Sequence, residues 1–197
     1  MPWAPTSTSE SLVSVTDYMT WYNIGTASTD DQARIQMALD MASAECRAYT
    51  AQFITPVSET ITTYPMNVAQ NQLVLPQWPV TAIASVTVDG NTLTELSDYI
   101  WTDRGIITLR GSFCLGYYYG LPRTVTVTYT HGWNPIPGDI AEICLGLAKR
   151  NLDAPNDQQI EKEAIGSYSV TYSTLTDGLS PAEKTKLDRY ASWTIGY

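Results

Sequence analysis

VTVTYTHGWNPIPGDIAEICLGLAKR, residues 125–150, changes its hydrophobic period once, and the fold class turns on that change. Val125, Val127 and Tyr129 alternate with Thr124, Thr126, Thr128 and Thr130, the period of a strand with one face buried and one solvated. A Gly132-Trp133 turn follows, and Pro137-Gly138-Asp139 opens a helix predicted over 138–152. There Ile140, Ile143, Cys144, Leu147 and Ala148 fall at i, i+3, i+4, i+7 and i+8, with Lys149 and Arg150 near the negative end of the dipole. A strand thus feeds directly into an amphipathic helix.

Upstream, TDDQARIQMALDMASAECRAYT, residues 29–50, predicts a second long helix. Thr29 and Gln32 have the spacing of a capping box, and Asp30 and Asp31 suit the positive end of the dipole. The expected inner stripe is Ile35, Leu39, Ala42, Cys46 and Tyr49. Ala38, Ala42, Ala44 and Ala48 allow another helix to come close. Between the two helices, residues 57–131 read as short strands separated by turn residues. VTAIASVTV, 80–88, puts Val80, Ala82, Ala84, Val86 and Val88 on one expected face, and Asp89-Gly90 supplies a turn with positive φ. Tyr99 and Trp101 alternate, Asp103-Arg104-Gly105 turns, and Ile106 to Leu109 pairs back.

A shorter helix, 16–24, capped by Thr16 and carrying Tyr18, Met19 and Tyr22, is expected before the first long one. After the second come a strand at 167–173 and a C-terminal helix in SPAEKTKLDRY, with Ser180 as cap, Pro181 at the first position and Glu183 completing the box. Residues 1–11, rich in Pro, Ser and Thr, read as a flexible arm. The expectation is an α+β fold: a small helical bundle with an inserted antiparallel β-sheet region and extended terminal arms. In domain terms these are an arm at 1–11, a main domain at 12–179, and a C-terminal helix and tail at 180–197.

The chain of 197 residues has 44% hydrophobic and 16% charged residues, enough apolar surface to offset the entropy of ordering. Its net charge of -9 argues against a grip on nucleic acid, which needs clustered Lys and Arg. It does suit a wall past which DNA slides without sticking. Neither a signal-peptide run nor a membrane-length apolar stretch is present, and Cys46, Cys114 and Cys144 fit neither a disulfide framework nor a metal clip. Synthesis in a reducing cytoplasm is expected.

Candidate chemistry is sparse. His131 is the single histidine and shares a face with Val127 and Tyr129, which makes it a core-edge or turn residue before a ligand. Cys144 and Cys46 lie in apolar stripes, where free cysteine acts as a small hydrophobe. Cys114 lies in a stretch expected to be exposed but has no base assigned beside it. Asp98 and Asp103 flank aromatic residues as in sugar clefts, yet both sit in turns where Asp binds backbone. DAPNDQ, 153–158, lacks the glycine and final Glu of a calcium loop. GYYYG, 116–120, lacks a phosphate-binding lysine. Its Tyr117, Tyr118 and Tyr119 cannot all face one core, which makes them partner-binding candidates. Neither enzyme activity, metal nor cofactor is expected.

RAYTAQFI (47–54), LPQWPVTAIASVTVDG (75–90), GIITLRG (105–111), the 125–150 stretch, EAIGSYSVTYS (163–173) and GLSPAEKTKLDRY (178–190) together resemble the head-to-tail connector, or adaptor, proteins of long-tailed bacteriophages. The resemblance covers nearly everything after residue 12. The N-terminal arm and LGYYYG match no pattern of that family. The resemblance implies a virion protein of the neck, made in the host cytoplasm: a ring of twelve identical subunits between the portal and the stopper or tail terminator, with DNA crossing its channel unbound and no membrane contact. On this reading the C-terminal helix and tail meet the portal through Leu187, Tyr190, Trp193 and Tyr197. Two alternatives are a stopper or tail-completion protein of the same neck, and a carbohydrate-binding or hydrolytic module built on Trp101, Trp133 and the tyrosines.

Overall fold

The computed structural model describes residues 11–64, 71–110, 123–153, 162–165, 168–171 and 178–192. Helices and antiparallel strands make the fold α+β, and the chain divides into two units. A helical unit takes the described residues of Met1–Thr50 and Ile136–Ala191, and a β unit takes those of Ala51–Pro135 together with Ser192. The C-terminal helix falls in the helical unit.

In the helical unit, α1 (Val15–Trp21) is capped by Ser14, not Thr16: Ser14 Oγ accepts from the Asp17 amide at 3.1 Å. The Thr16 carbonyl instead accepts a bond from the Thr20 hydroxyl. At α2 (Thr29–Thr50) the cap is Ser28 with Asp31, one residue ahead of the expected Thr29–Gln32 box, and the amide of Gln32 reaches the Ser28 carbonyl. Its buried stripe is Ile35, Ala38, Leu39, Ala42, Ser43, Cys46 and Thr50. Tyr49 is only half-buried and its hydroxyl bonds Asp188.

α3 (Gly138–Asp153) lies against α2, burying Ile140, Ile143, Cys144, Leu145, Leu147 and Ala148. The two run in opposite directions. Ser43 meets Cys144 midway at 3.4 Å, while Tyr49 near the end of α2 and Asp139 at the start of α3 both bond the 188–190 turn. Small residues at the crossing (Ala38, Ala42, Ser43, Ala148) allow that approach. α4 (Pro181–Leu187) starts on a full capping box between Ser180 and Glu183, as the sequence predicts. The strand expected at 167–173 is present as β9 (Tyr168–Thr171), and it pairs antiparallel with a strand the sequence reading did not name, β8 (Lys162–Ile165).

The β unit holds two antiparallel sheets. One has the order β1 (Val57–Thr63), β7 (Val125–His131), β3 (Val80–Val88), β4 (Asn91–Thr92); the other β2 (Gln72–Val74), β6 (Ile106–Leu109), β5 (Tyr99–Trp101). Their inner faces share one core of Leu73, Leu75, Val86, Tyr99, Ile107, Leu109, Val125, Val127 and Tyr129, among others. β7 alternates as predicted, its threonines outward, with Thr128 and Thr126 hydroxyls against Thr60 and Thr62 of β1.

β3 departs from the prediction. Its register against β7 shifts between Val80 and Ala82 and again between Ile83 and Ser85, which leaves Ala82 and Ala84 exposed and turns Ile83 partly inward. Each bulge adds a residue and reverses the parity of the strand beyond it. Asp89-Gly90 makes the predicted tight turn, with φ of 51° and 79°, and Gly105 turns at 76°.

Candidate assembly site

The C-terminal helix is tied to the helical unit by charge and by one buried side chain. Leu187 has 0% exposure, so it packs inside this chain's own core. That corrects its assignment to a partner contact: a γ-branched apolar side chain ending an amphipathic helix is drawn to the nearest core. The Tyr190 hydroxyl donates to both oxygens of Asp139, at 2.7 and 2.8 Å, and Arg189 reaches the same carboxylate at 2.7 Å. Burial, and then the Asp139 bond, raise the Tyr190 pKa. Trp193, Tyr197, Tyr117, Tyr118 and Tyr119 lie outside the described residues, as do Cys114, residues 154–158 of the DAPNDQ segment and all of the N-terminal arm but Ser11.

Arg150 of α3 grips Glu183 of α4 with two parallel bonds of 2.9 Å, and the Ser180 amide adds a third at 2.8 Å. Burial works to raise the Glu183 carboxyl, but the bonds from Arg150 and Ser180 outweigh it and hold the pKa below its ordinary value. Glu45 of α2 receives the Leu179 amide at 2.8 Å, and Lys186 meets Glu142 at 3.1 Å. Nothing in the sequence pairs these residues. They sit on separate helices, and only the bundle brings them together.

The residues weighed for chemistry have packing roles. Cys46 and Cys144 are buried free thiols; burial pushes Cys46 up to about 12 and raises Cys144 also, which keeps both protonated and non-nucleophilic near neutrality. In the β unit His131 is fully buried between the rings of Tyr129 and Phe53, at 5.2 and 5.7 Å between centroids. Its Nε2 lies 3.3 Å from Glu59, which also accepts a short bond from the Tyr129 hydroxyl. Sequence reading missed Glu59: on β1 its parity with Val57 and Ile61 was the available signal, since a carboxylate on an inward face demands a partner. Asp98 accepts from the Thr94 amide and turns the chain, the Trp101 ring nitrogen is held by Glu95, and Trp133 sits edge-on to Trp78. Among the described residues no group of acidic, histidine or cysteine side chains could hold a metal.

Uncovered apolar surface lies elsewhere. In the helical unit Trp21, Met37 and Met41 are 64%, 66% and 58% exposed, and Ile24, three residues after Trp21, is exposed as well. Met37 and Met41 stand one turn apart on the outer side of α2, opposite its buried stripe.

The family model for head completion proteins matches residues 11–189, which spans both units. The chain belongs to the head completion protein family. That is a structural family of particle assembly, not an enzyme family. No curated protein matches the chain. Among solved structures, this head completion protein has the fold of a chain from the neck of an empty gene transfer agent (GTA) particle computed with C6 symmetry, at TM-score 0.59 and 18% identity, covering 92% of this chain and 90% of that one. A chain from the virion of the native GTA particle matches at TM-score 0.59 and 17% identity, over 97% and 93%. A third, from the native neck computed with C12 symmetry, gives 0.55 and 14% identity, over 96% and 93%.

Proposed function

We propose that this head completion protein is a head-to-tail adaptor: copies form a ring beneath the portal, above the stopper or tail terminator, and leave a channel through which DNA passes unbound. The observation that carries this reading is the family match across residues 11–189, because it embraces the helical unit, the β unit and the C-terminal helix in one pattern. Similarity of fold to chains from necks computed with C6 and C12 symmetry supports the ring. A net charge of -9 supports a wall that does not hold phosphates.

Portal contact falls to the aromatic ending beyond Ser192, Trp193 and Tyr197, because Leu187 is committed to the core and Tyr190 to Asp139, while the tyrosines at 117–119 are candidates for contact with a partner in the neck. The test is completion of portal-bearing heads that lack this protein. Added full-length chain should co-sediment with the heads and yield a ring visible by electron microscopy, whereas a chain ending at Ser192 should not co-sediment. If full-length chain joins tails but never portal-bearing heads, the adaptor role is wrong and a stopper or tail-completion role takes its place.

A further inference from the structure

Three sides of α2 are occupied within the chain. Its buried stripe faces α3, Ser11 and Leu12 bond Gln36 and Ser43 on one flank, and Leu179 and Asp188 bond Glu45 and Tyr49 on the other. The remaining side carries Ala33, Met37, Met41, Ala44 and Ala48, all exposed. Two methionines among alanines form a surface a partner side chain can enter closely, and the thioethers adapt to an aromatic ring. Arg34 shares this side, at i-3 and i-7 from the methionines, and makes no ion pair among the described residues. In a chain of net charge -9, an unpaired exposed cation beside an apolar patch is a distinctive feature.

The helical unit bears a second, unlike patch. On α1, Asp17 and Trp21 are exposed at i, i+4, so carboxylate and indole share a face, with Ile24 beyond them. At 64% and 66% exposure, Trp21 and Met37 do not cover one another within the chain. A closed ring needs two different faces on every subunit, each fitting the other. The two patches complement each other in charge, Arg34 against Asp17, and in contact chemistry, sulfur against indole.

We propose that the outer side of α2 receives the α1 face of the neighbouring copy, with Trp21 seated on Met37 and Met41 and Asp17 facing Arg34, as the repeating contact of the ring. This rests on the adaptor reading. The experiment uses full-length chain on portal-bearing heads, with closed rings read by native mass spectrometry after release. Met37→Glu with Met41→Glu should lower ring yield by about tenfold or more, as expected for charging the centre of an interface. Arg34→Asp should also lower it, and adding Asp17→Arg should restore it, which a folding defect would not allow. Mixing Trp21→Cys chains with Met41→Cys chains under mild oxidation should give 21–41 disulfides between copies. Absence of rings from unaltered chain sinks the adaptor reading; rings formed equally by the charged variant, or 21–21 and 41–41 disulfides alone, overturn only the contact proposed here.

Discussion

His131 is closed off from solvent, and its two ring nitrogens have no hydrogen-bond partner among the described residues; the 3.3 Å approach of Glu59 is close but poorly aligned. Burial lowers its pKa from the ordinary 6.5, and the Glu59 charge opposes that only in part. The unfolded chain therefore binds the proton more readily than the folded one. Stability from this group is present above about pH 6.5 and falls as pH drops below it, with a slope of at most about 1.4 kcal/mol per pH unit. Denaturant midpoints between pH 7.5 and 5.5 should fall in the unaltered chain, and His131→Phe should flatten that fall. Beside it, Gly132 has φ of 108°, and a Cβ there would run into the Thr55 carbonyl. Gly132→Ala should cost about 2 kcal/mol or more in chemical denaturation, since both backbone strain and a clash with main chain result.

At the scale of elements, the helix pair α2–α3 depends on small residues. Ala42 has 0% exposure at the crossing, so Ala42→Leu should destabilise by about 1–3 kcal/mol through overpacking, read as a lower thermal midpoint. α4 depends on its cap and on Arg150. Ser180→Ala removes the hydroxyl that receives the Glu183 amide and should cost about 1 kcal/mol. Because the Glu183 pKa is lowered, its contribution is present above the ordinary carboxylate range and lost as pH falls through the lowered value. Amide protection in 181–187, referred to the intrinsic exchange rate at each pH, should fall at low pH in the unaltered chain and at all pH values in Ser180→Ala.

Over the whole molecule, the β unit is an insertion between Thr50 and Ile136 of the helical unit. The end of α2 and the start of α3 both bond the 188–190 turn, so the two cut ends lie near each other within the helical unit. Replacing 51–135 by a short Gly-Ser linker should therefore leave a cooperatively melting helical unit, checked by far-ultraviolet circular dichroism. A non-cooperative melt would mean that the helical unit does not fold alone. The helical unit carries Trp21, Met37 and Met41, and so the excised unit should keep the contact proposed for the ring.

The long helices, the β7 alternation, the Asp89-Gly90 turn and the Ser180 capping box were legible in the sequence because each is fixed within a few residues by period, turn conformation or cap chemistry. Local signals failed where two choices were nearly equal in energy: Ser28 over Thr29 as cap, Ser14 over Thr16, and the two bulges of β3 that move Ala82 and Ala84 off the core face. Tertiary structure alone decided the Tyr129–Glu59–His131 cluster, the Arg150–Glu183 pair and the burial of Leu187, whose partners lie tens of residues apart. It also decided how wide the covered face of α2 is. The stripe of Ile35, Leu39, Ala42 and Cys46 was legible from its helical period, but the width of a buried face depends on what packs beside it. Packing takes Ala38, Ser43 and Thr50 inside as well, and leaves Tyr49 half-buried and Met37 and Met41 exposed.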